Sequence, residues 1–249
     1  MYSKISIIIP VYNEAQTVLK LIEMVRDAPM PLETEIIALD DGSTDNTPEL
    51  LDALAVTHEN LSVHRNTKNR GKGYTLRKGI QAATGDIIVV QDADLEYDPH
   101  EIPKLIQPII NGKADVVYGS RFVSSAPKRV LYFWHYAGNK ALTILSNICS
   151  NLNLSDMETC YKAFDGRLLK KIRLKENRFG FEPEVTYKIS RIPGIRIFEI
   201  GISYFGRSYD EGKKIGWKDV LRALYVIFKY PILYFFFGKR MLFKDDMTG

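Results

Sequence analysis

Residues 4–14 read KISIIIPVYNE, an apolar run that ends at a proline and is followed by polar side chains. EIIALDD at residues 35–41 and IIVVQDAD at residues 87–94 repeat the pattern, with acidic residues after the run. Such continuous runs indicate strands that are buried on both faces, as in a parallel sheet. The predicted strands are Ile5–Ile9, Glu35–Leu39, Leu61–His64, Ile87–Val90 and Val116–Tyr118.

Helical patterns separate these strands. Pro48, directly after Thr47, indicates one helix start, and residues 98–101 indicate another, with Asp98 as the cap and an acidic partner three residues on. Gly85 lies between a helical pattern and the next strand, where we expect a left-handed helix cap. Alternating strands and helices predict a doubly wound α/β fold with a mainly parallel central sheet flanked by helices.

Composition and charge narrow the class of protein. The chain has 249 residues, 45% hydrophobic and 26% charged, which is typical of one globular unit. A net charge of +4 argues against a nucleic-acid partner. Cys149 and Cys160 are too few for a disulfide framework or a zinc site, and Ile5–Ile9 is too short for a signal peptide. We therefore expect a cytoplasmic protein.

The second half of the chain differs in pattern. Strand and helix alternation stops near residue 122, and a long helix is predicted over Arg129–Asn151. Val220–Phe237 is apolar but is interrupted by Arg222, Lys229 and Pro231, which argues against a spanning helix of about 20 apolar residues. Aromatic and basic residues mixed in this way favour a helix that lies on a membrane surface. Core packing or a dimer interface remain alternatives, so a homo-oligomer is left open.

Acidic residues follow the predicted strands, where ligands of open α/β sheets bind. Asp92 and Asp94 are two residues apart and project to the same side of an extended chain. Paired carboxylates suit Mg²⁺ or Mn²⁺ held together with substrate phosphates, although ordinary turn acids would look the same. Residues 40–45 fit either a turn or a contact to a nucleoside, and residues 70–73 lack the Walker and dinucleotide patterns.

Four segments, taken in their order along the chain, are specific enough to indicate a protein family. Ile8–Glu14, Asp40–Asp45, Arg70–Gly73 and Asp92–Asp94 together resemble the inverting glycosyltransferase family 2. Within it, the chain most resembles the dolichol-phosphate mannose synthase group, in its short form without transmembrane helices. The resemblance implies a nucleotide-diphospho-sugar transferase fold of the GT-A type, with a helical, basic carboxyl-terminal part that faces the acceptor and the membrane.

The resemblance also implies roles for individual residues. Those expected around the nucleoside and the donor are Pro10, Tyr12, Glu14, Leu39, Asp41, Asp92, Ala93, Asp94, Arg207 and Lys213. The expected metal ligands are Asp92, Asp94 and, where relatives often carry glutamine, Glu96. The expected catalytic residues are Asp94, Arg121, Arg207 and Lys213, with Arg121 near a donor or acceptor phosphate.

A phosphate acceptor and a hydroxyl acceptor require different charged groups in the acceptor site. A phosphate acceptor arrives largely ionised and needs cations, for which the resemblance suggests Arg121, Lys140 and Lys162. A hydroxyl acceptor would need a carboxylate base, for which Asp156 and Glu158 are candidates. We favour phosphate. However, residues 159–164 read TCYKAF where close relatives have serine, glycine, phenylalanine and arginine, and this departure affects the acceptor site.

The expected organisation is a catalytic domain over residues 1–212 and a basic, aromatic helical segment over residues 213–249. Within the domain, residues 1–121 would bind the nucleotide-sugar and residues 122–212 the acceptor. We expect transfer of mannose from GDP-mannose to a polyprenyl phosphate by a peripheral protein on the cytoplasmic face of a membrane. The alternatives are a soluble family 2 enzyme with a glycan hydroxyl acceptor and a non-catalytic nucleotide-sugar-binding protein.

Overall fold

A computed structural model describes residues 2–123, 129–130, 132–207 and 216–244. Seven strands in these residues form one sheet, in the order β3-β2-β1-β4-β6-β5-β7. The strands are β1 (Lys4–Val11), β2 (Glu33–Asp40), β3 (Leu61–Arg65), β4 (Ile87–Val90), β5 (Val116–Ser120), β6 (Lys162–Asp165) and β7 (Ile197–Gly201).

The sheet is mainly parallel, as predicted. β1 pairs in parallel with β2 and β4, β2 with β3, and β5 with β7. β6 runs antiparallel between β4 and β5. All five predicted strands are present. β6 and β7 are not among the predicted strands. β6 is a four-residue segment, KAFD, with a charge at each end, and so short a segment shows no clear periodicity.

The helices lie between the strands and after them. They are α1 (Val18–Asp27), α2 (Thr47–Thr57), α3 (Lys72–Ala82), α4 (Ile102–Ile110), α5 (Phe133–Ser150), α6 (Gly166–Lys171), α7 (Phe181–Ser190) and α8 (Trp217–Phe237). Short 3₁₀ turns cover Pro99–Glu101 and Gly238–Met241.

The structure differs in detail from two of the predictions about helix ends. Asp98 does cap its turn, because its carboxylate accepts a hydrogen bond from the backbone of His100. Its predicted partner Glu101 instead accepts hydrogen bonds from the backbone and the hydroxyl of Ser203. The expected left-handed cap at Gly85 is wrong. Gly85 has no positive φ; a side chain there would place its Cβ 2.6 Å from the backbone nitrogen of Ser6.

The core has two layers, one on each face of the sheet. Ile7 and Ile9 face a cluster with α1 and α4, whereas Ile8 faces a second cluster with α3 and α7. This alternation explains why the run at the start of the chain is apolar throughout, since both of its faces are covered. β1 is an interior strand of the sheet, paired with β2 on one side and β4 on the other.

α8 is attached to this core by a charged contact as well as by apolar packing. The buried carboxylate of Glu176 accepts hydrogen bonds from Arg222 and Lys229, at 2.5 Å and 2.7 Å. These are the two cations that interrupt the apolar run. Within the described residues, Trp217–Met241 is the one helix whose length and composition would allow it to cross a bilayer; 22% of its most apolar window is buried.

The predicted division at residue 121 remains a prediction about function. β6 and β7 come from the second half of the chain, yet they lie in the same sheet as the strands of the first half. The described parts of residues 1–212 are therefore joined by one hydrogen-bonded sheet.

Candidate functional site

A cavity of about 740 Å³ opens at the carboxyl ends of β1, β2 and β4. β1 and β4 are neighbours in the sheet, and the strand order reverses between them, which is where ligands of open α/β sheets bind. The residues predicted for the site come from segments that are far apart in the chain, and most of them line this cavity.

Pro10, Tyr12, Glu14 and Asp41 line the end of the cavity next to β1 and β2. Their positions agree with the expected nucleoside contacts, and those contacts remain a prediction. Leu39 does not line the cavity. It is 2% exposed and belongs to the core cluster beneath α3, so its side chain does not reach a ligand.

Asp41 holds the loop that precedes α3. Its carboxylate accepts hydrogen bonds from the backbone of Arg70 and Gly71, at 2.9 Å and 2.7 Å, and from the amide of Asn66 at 2.8 Å. Gly71 has φ +93°, a conformation that glycine adopts readily. The sequence pattern did not define a role for residues 70–73. Asp41, which is predicted to contact the nucleoside, holds this loop in place.

The acids after β4 are each paired with a cation. Asp92 accepts a hydrogen bond from Lys72, the first residue of α3, at 2.5 Å. Asp94 lies 3.2 Å from a guanidinium nitrogen of Arg207. Both pairs, together with Ala93, line the cavity, so the predicted donor residues after β4 do come together with basic groups.

Glu96 is occupied differently. Its carboxylate accepts hydrogen bonds from the hydroxyl of Tyr204, at 2.8 Å, and from the backbone nitrogen of Arg207, at 2.7 Å. Burial, with the neighbouring charges of Asp92 and Glu96, raises the pKa of Asp94 to about 7, although Arg207 acts in the opposite direction. Negative charge is therefore in excess around Asp94.

The predicted metal ligands fit a divalent cation in part. No group of three or more acidic, histidine or cysteine side chains in the described chain is arranged to hold a metal ion. Asp92 and Asp94 supply hard oxygens beside an excess of negative charge, which suits a cation completed by substrate phosphates. Glu96 does not fit as a ligand, because Tyr204 and the Arg207 backbone already occupy its carboxylate.

Arg207 follows β7 in the chain and pairs with acids that follow β1 and β4. Its guanidinium donates to the carboxylate of Glu14, at 3.1 Å and 3.2 Å, and also contacts Asp94. It therefore lies beside the acids, as the resemblance implies. Its predicted partner Lys213 lies outside the described residues.

Arg121 follows β5 and is 6% exposed. Its guanidinium forms two hydrogen bonds of 2.7 Å with the carboxylate of Asp156, and its backbone nitrogen donates to the same group. It also lies 5.2 Å from the ring centre of Tyr204. Arg121 lines the cavity in a fixed orientation that Asp156 imposes.

The other two predicted acceptor residues do not line the cavity. Lys140 donates to the carbonyl of Ser155 and lies 4.7 Å from the ring centre of Phe122. Lys162 is 1% exposed, pairs with Glu182 and also donates to backbone carbonyls. Lys162 is the first residue of β6 and points inward, where Glu182 neutralises its charge. The prediction that Lys162 contacts the acceptor directly is therefore not supported.

Glu158 and Glu182 add carboxyl groups to the floor of the cavity. Burial and the charge of Glu182 raise the pKa of Glu158 to about 7. The sequence identified Glu158 only as a candidate base and did not identify Glu182 at all. An acid among the aromatic residues at the start of α7 was the available signal, because acids in apolar surroundings need a partner or a ligand.

Aromatic side chains surround the mouth of the cavity. Tyr132 and Trp134 at the start of α5, and Trp217 at the start of α8, are 75%, 82% and 69% exposed and line its edge. We call these three residues the aromatic rim. An exposed apolar patch of this kind marks an interaction surface.

Several curated proteins are similar over most of the chain. A dolichol-phosphate mannosyltransferase of Pyrococcus furiosus is 30% identical, over 91% of this chain and 64% of that protein. An undecaprenyl-phosphate mannosyltransferase of Micrococcus luteus is 31% identical, over 84% of this chain and 86% of that protein. The chain thus spans less than two thirds of the length of the Pyrococcus relative and most of the Micrococcus relative.

A solved structure shows the same fold. Glucosyl-3-phosphoglycerate synthase of Mycobacterium tuberculosis, in complex with Mn²⁺, UDP and phosphoglyceric acid, superposes with a TM-score of 0.69 at 22% identity. The match covers 91% of this chain and 78% of that one, and it confirms the expected GT-A type fold. The model of the family described as Glycosyl transferase family 2 matches residues 6–173, more than half of the chain. The chain therefore belongs to glycosyl transferase family 2.

Proposed function

We propose that the protein is an inverting glycosyltransferase that moves a sugar, mannose from GDP-mannose in the first instance, to a polyprenyl phosphate. The observation that carries this proposal is one cavity that joins the acids after β4, the cations Arg121 and Arg207, and the aromatic rim. The names of the Pyrococcus and Micrococcus relatives support a polyprenyl-phosphate acceptor and mannose.

The donor would lie between the β1 end of the cavity and the acids after β4. Tyr12 and Asp41 border the space for the nucleoside, and Asp92 and Asp94 border the space for the diphosphate. Asp92 and Asp94 would hold Mg²⁺ or Mn²⁺, and the cation would neutralise charge on the departing diphosphate. Arg207 lies beside Asp94 and stabilises the same charge.

Transfer exchanges one bond for another at the anomeric carbon. An oxygen of the acceptor phosphate attacks this carbon from the side opposite the diphosphate, and the bond to the diphosphate breaks with its electron pair, so the nucleoside diphosphate leaves. The second ionisation of a phosphate monoester lies near pH 6, so the nucleophile carries no proton that a base must remove. Arg121 would position this phosphate, because Asp156 holds its guanidinium at the cavity wall.

The lipid would reach the cavity through the aromatic rim. Aromatic side chains favour the headgroup region of a bilayer, and the exposed cations Lys218, Lys239 and Arg240 suit anionic lipids. We therefore place the protein peripherally on the cytoplasmic face of a membrane, with the cavity mouth towards the lipid.

A glycan hydroxyl acceptor is the second candidate. Glu158 favours it, because this carboxyl lines the cavity and its raised pKa suits a general base. Asp156, the other candidate base, is fully buried and paired with Arg121. A non-catalytic binding protein would have less need for both cation–acid pairs beside the same cavity.

Label transfer distinguishes these functions. Purified protein is mixed with radiolabelled GDP- or UDP-sugars, Mg²⁺ or Mn²⁺, and vesicles that contain polyprenyl phosphate. We expect label in an acid-labile lipid. Donor hydrolysis without labelled lipid would favour a hydroxyl acceptor, and the absence of donor consumption under all conditions would favour a binding protein.

A further inference from the structure

We propose that Glu158 recognises a hydroxyl group of the sugar that is transferred and so determines which donor sugar is accepted. This inference rests on the proposed function, and it assigns to Glu158 a role as a specificity-determining residue rather than a base.

The first step is that a side-chain oxygen of Glu158 has no partner among the residues that the structure describes. Its Oε1 atom is buried and has no hydrogen-bond partner in the described structure. An unpaired buried acceptor is costly, and natural proteins rarely leave one except where a ligand completes it. Glu158 lines the cavity, so a ligand can reach this atom.

The second step is that the charged groups around Glu158 are already paired with each other. Asp156 binds Arg121, and Glu182 binds Lys162. Both cations act on Glu158 only at longer range, where they oppose the raised pKa without donating a hydrogen bond to Oε1. Among the described residues Oε1 therefore has no partner, and a ligand in the cavity can supply one.

The third step is the position of Glu158 between the two substrate ends. Glu158 interacts electrostatically with Glu182 and Lys162, and Glu182 interacts in turn with Lys72, the partner of Asp92 at the proposed diphosphate end. Glu158 also interacts electrostatically with Arg121, the proposed acceptor cation. In a direct displacement, the group that lies between the leaving diphosphate and the attacking phosphate is the sugar.

The chemistry of the partner follows. A phosphate would be repelled by an ionised carboxyl group, whereas a sugar hydroxyl is a neutral donor that pairs with it in either protonation state. A site built to bind a hydroxyl discriminates strongly against a sugar that presents it differently, because the buried acceptor is then left unpaired. Glu158 is thus suited to distinguish epimers.

The test compares binding of a nucleoside diphosphate alone with binding of its nucleotide-sugars. GDP, GDP-mannose, UDP and a set of UDP-hexose epimers are titrated by calorimetry into wild type and the variants Glu158→Ala and Glu158→Gln. We expect Glu158→Ala to weaken binding of the preferred nucleotide-sugar about 10- to 100-fold with no change for the nucleoside diphosphate. Selectivity among epimers, measured as relative kcat/KM, should fall to within a few fold, and Glu158→Gln should restore most of it.

Glu199→Gln is the matched control. Glu199 accepts hydrogen bonds from Ser155 and from the backbone of Asp156, so it supports the same loop without lining the cavity. This variant should keep wild-type epimer selectivity. Equal weakening of nucleoside diphosphate and nucleotide-sugar in Glu158→Ala, or unchanged epimer selectivity, would overturn the inference.

Two further outcomes separate this inference from the proposed function. Wild-type donor binding in Glu158→Gln, with turnover lost by several orders of magnitude, would make Glu158 a general base and overturn its role in specificity. No binding of any nucleotide-sugar by the wild type would overturn the proposed function, and the inference with it.

Discussion

At the residue scale, three acids pair with three different cations, so their substitutions should have different effects on activity and stability. Asp92 pairs with Lys72, Asp94 with Arg207, and Asp156 with Arg121. Burial and the charges of Asp92 and Glu96 raise the pKa of Asp94. Substitutions of these residues separate catalysis from stability.

Asp94→Ala should lower turnover at least about 1000-fold, since it removes a group expected to organise charge at the leaving diphosphate. Its unfolding temperature should fall by no more than a few degrees, because the substitution also removes repulsion with Asp92 and Glu96. Label transfer and thermal unfolding measure the two effects. Asp52→Ala, at an acid 63% exposed and outside the cavity, serves as the control; full activity in Asp94→Ala would refute the role.

Asp156→Asn should lower the free energy of unfolding by about 3 kcal/mol, because it leaves the buried charge of Arg121 without its counterion. The matched control is Asp115→Asn. Asp115 makes a similar pair with Arg196, whose side chain is 49% exposed, and its loss should cost about 1 kcal/mol or less. Urea unfolding measures both values, and equal losses would contradict the structural role of Asp156.

At the element scale, close packing of Gly85 against β1 and α6 fixes the beginning of β4. Gly85 lies against the backbone of β1, and Gly166 at the start of α6 lies in turn against Gly85. These contacts hold the beginning of β4 in place, and the acids follow at its other end. The requirement for glycine here comes from neighbouring strands and not from a turn.

Gly85→Ala should therefore destabilise the protein by about 1–3 kcal/mol, as expected for a methyl group forced into a packed region. Gly138→Ala provides the comparison within α5, where a Cβ atom would meet no atom within 4 Å. That variant should be neutral or more stable by about 0.5–1 kcal/mol, because alanine favours a helix. Chemical denaturation of both variants checks the prediction, which fails if Gly85→Ala is neutral.

At the scale of the whole molecule, α5 and α8 place an apolar surface around the mouth of the cavity. α8 has a buried side, which includes Val226 and Tyr230, and an exposed side with Tyr225 and Phe228. Glu176 joins α8 to α3. Its carboxylate accepts a hydrogen bond from Arg222 of α8, and its backbone carbonyl accepts one from Arg77 of α3. The surface that would meet lipid and the cavity are thus parts of one packed unit.

Replacing Trp134 and Trp217 together by serine should weaken binding to polyprenyl-phosphate vesicles at least about tenfold, because both indoles are exposed at the cavity mouth. Vesicle flotation measures the bound fraction. Val56→Ser is the control, since Val56 is 88% exposed on α2, away from the cavity lining. Equal flotation of the double variant and the wild type would place the membrane contact elsewhere.

The sequence by itself determined the five predicted strands, the α/β class and the ordered family motifs, because each depends on neighbouring residues and their periodicity. The family resemblance also assigned Asp92, Asp94, Arg121 and Arg207 to one site, and all four line the cavity. Only the tertiary structure decided the partners of the charged groups. Lys162 was predicted at the acceptor but is buried with Glu182, and Asp156 is a support for Arg121, because ion pairs join residues that the local pattern does not relate.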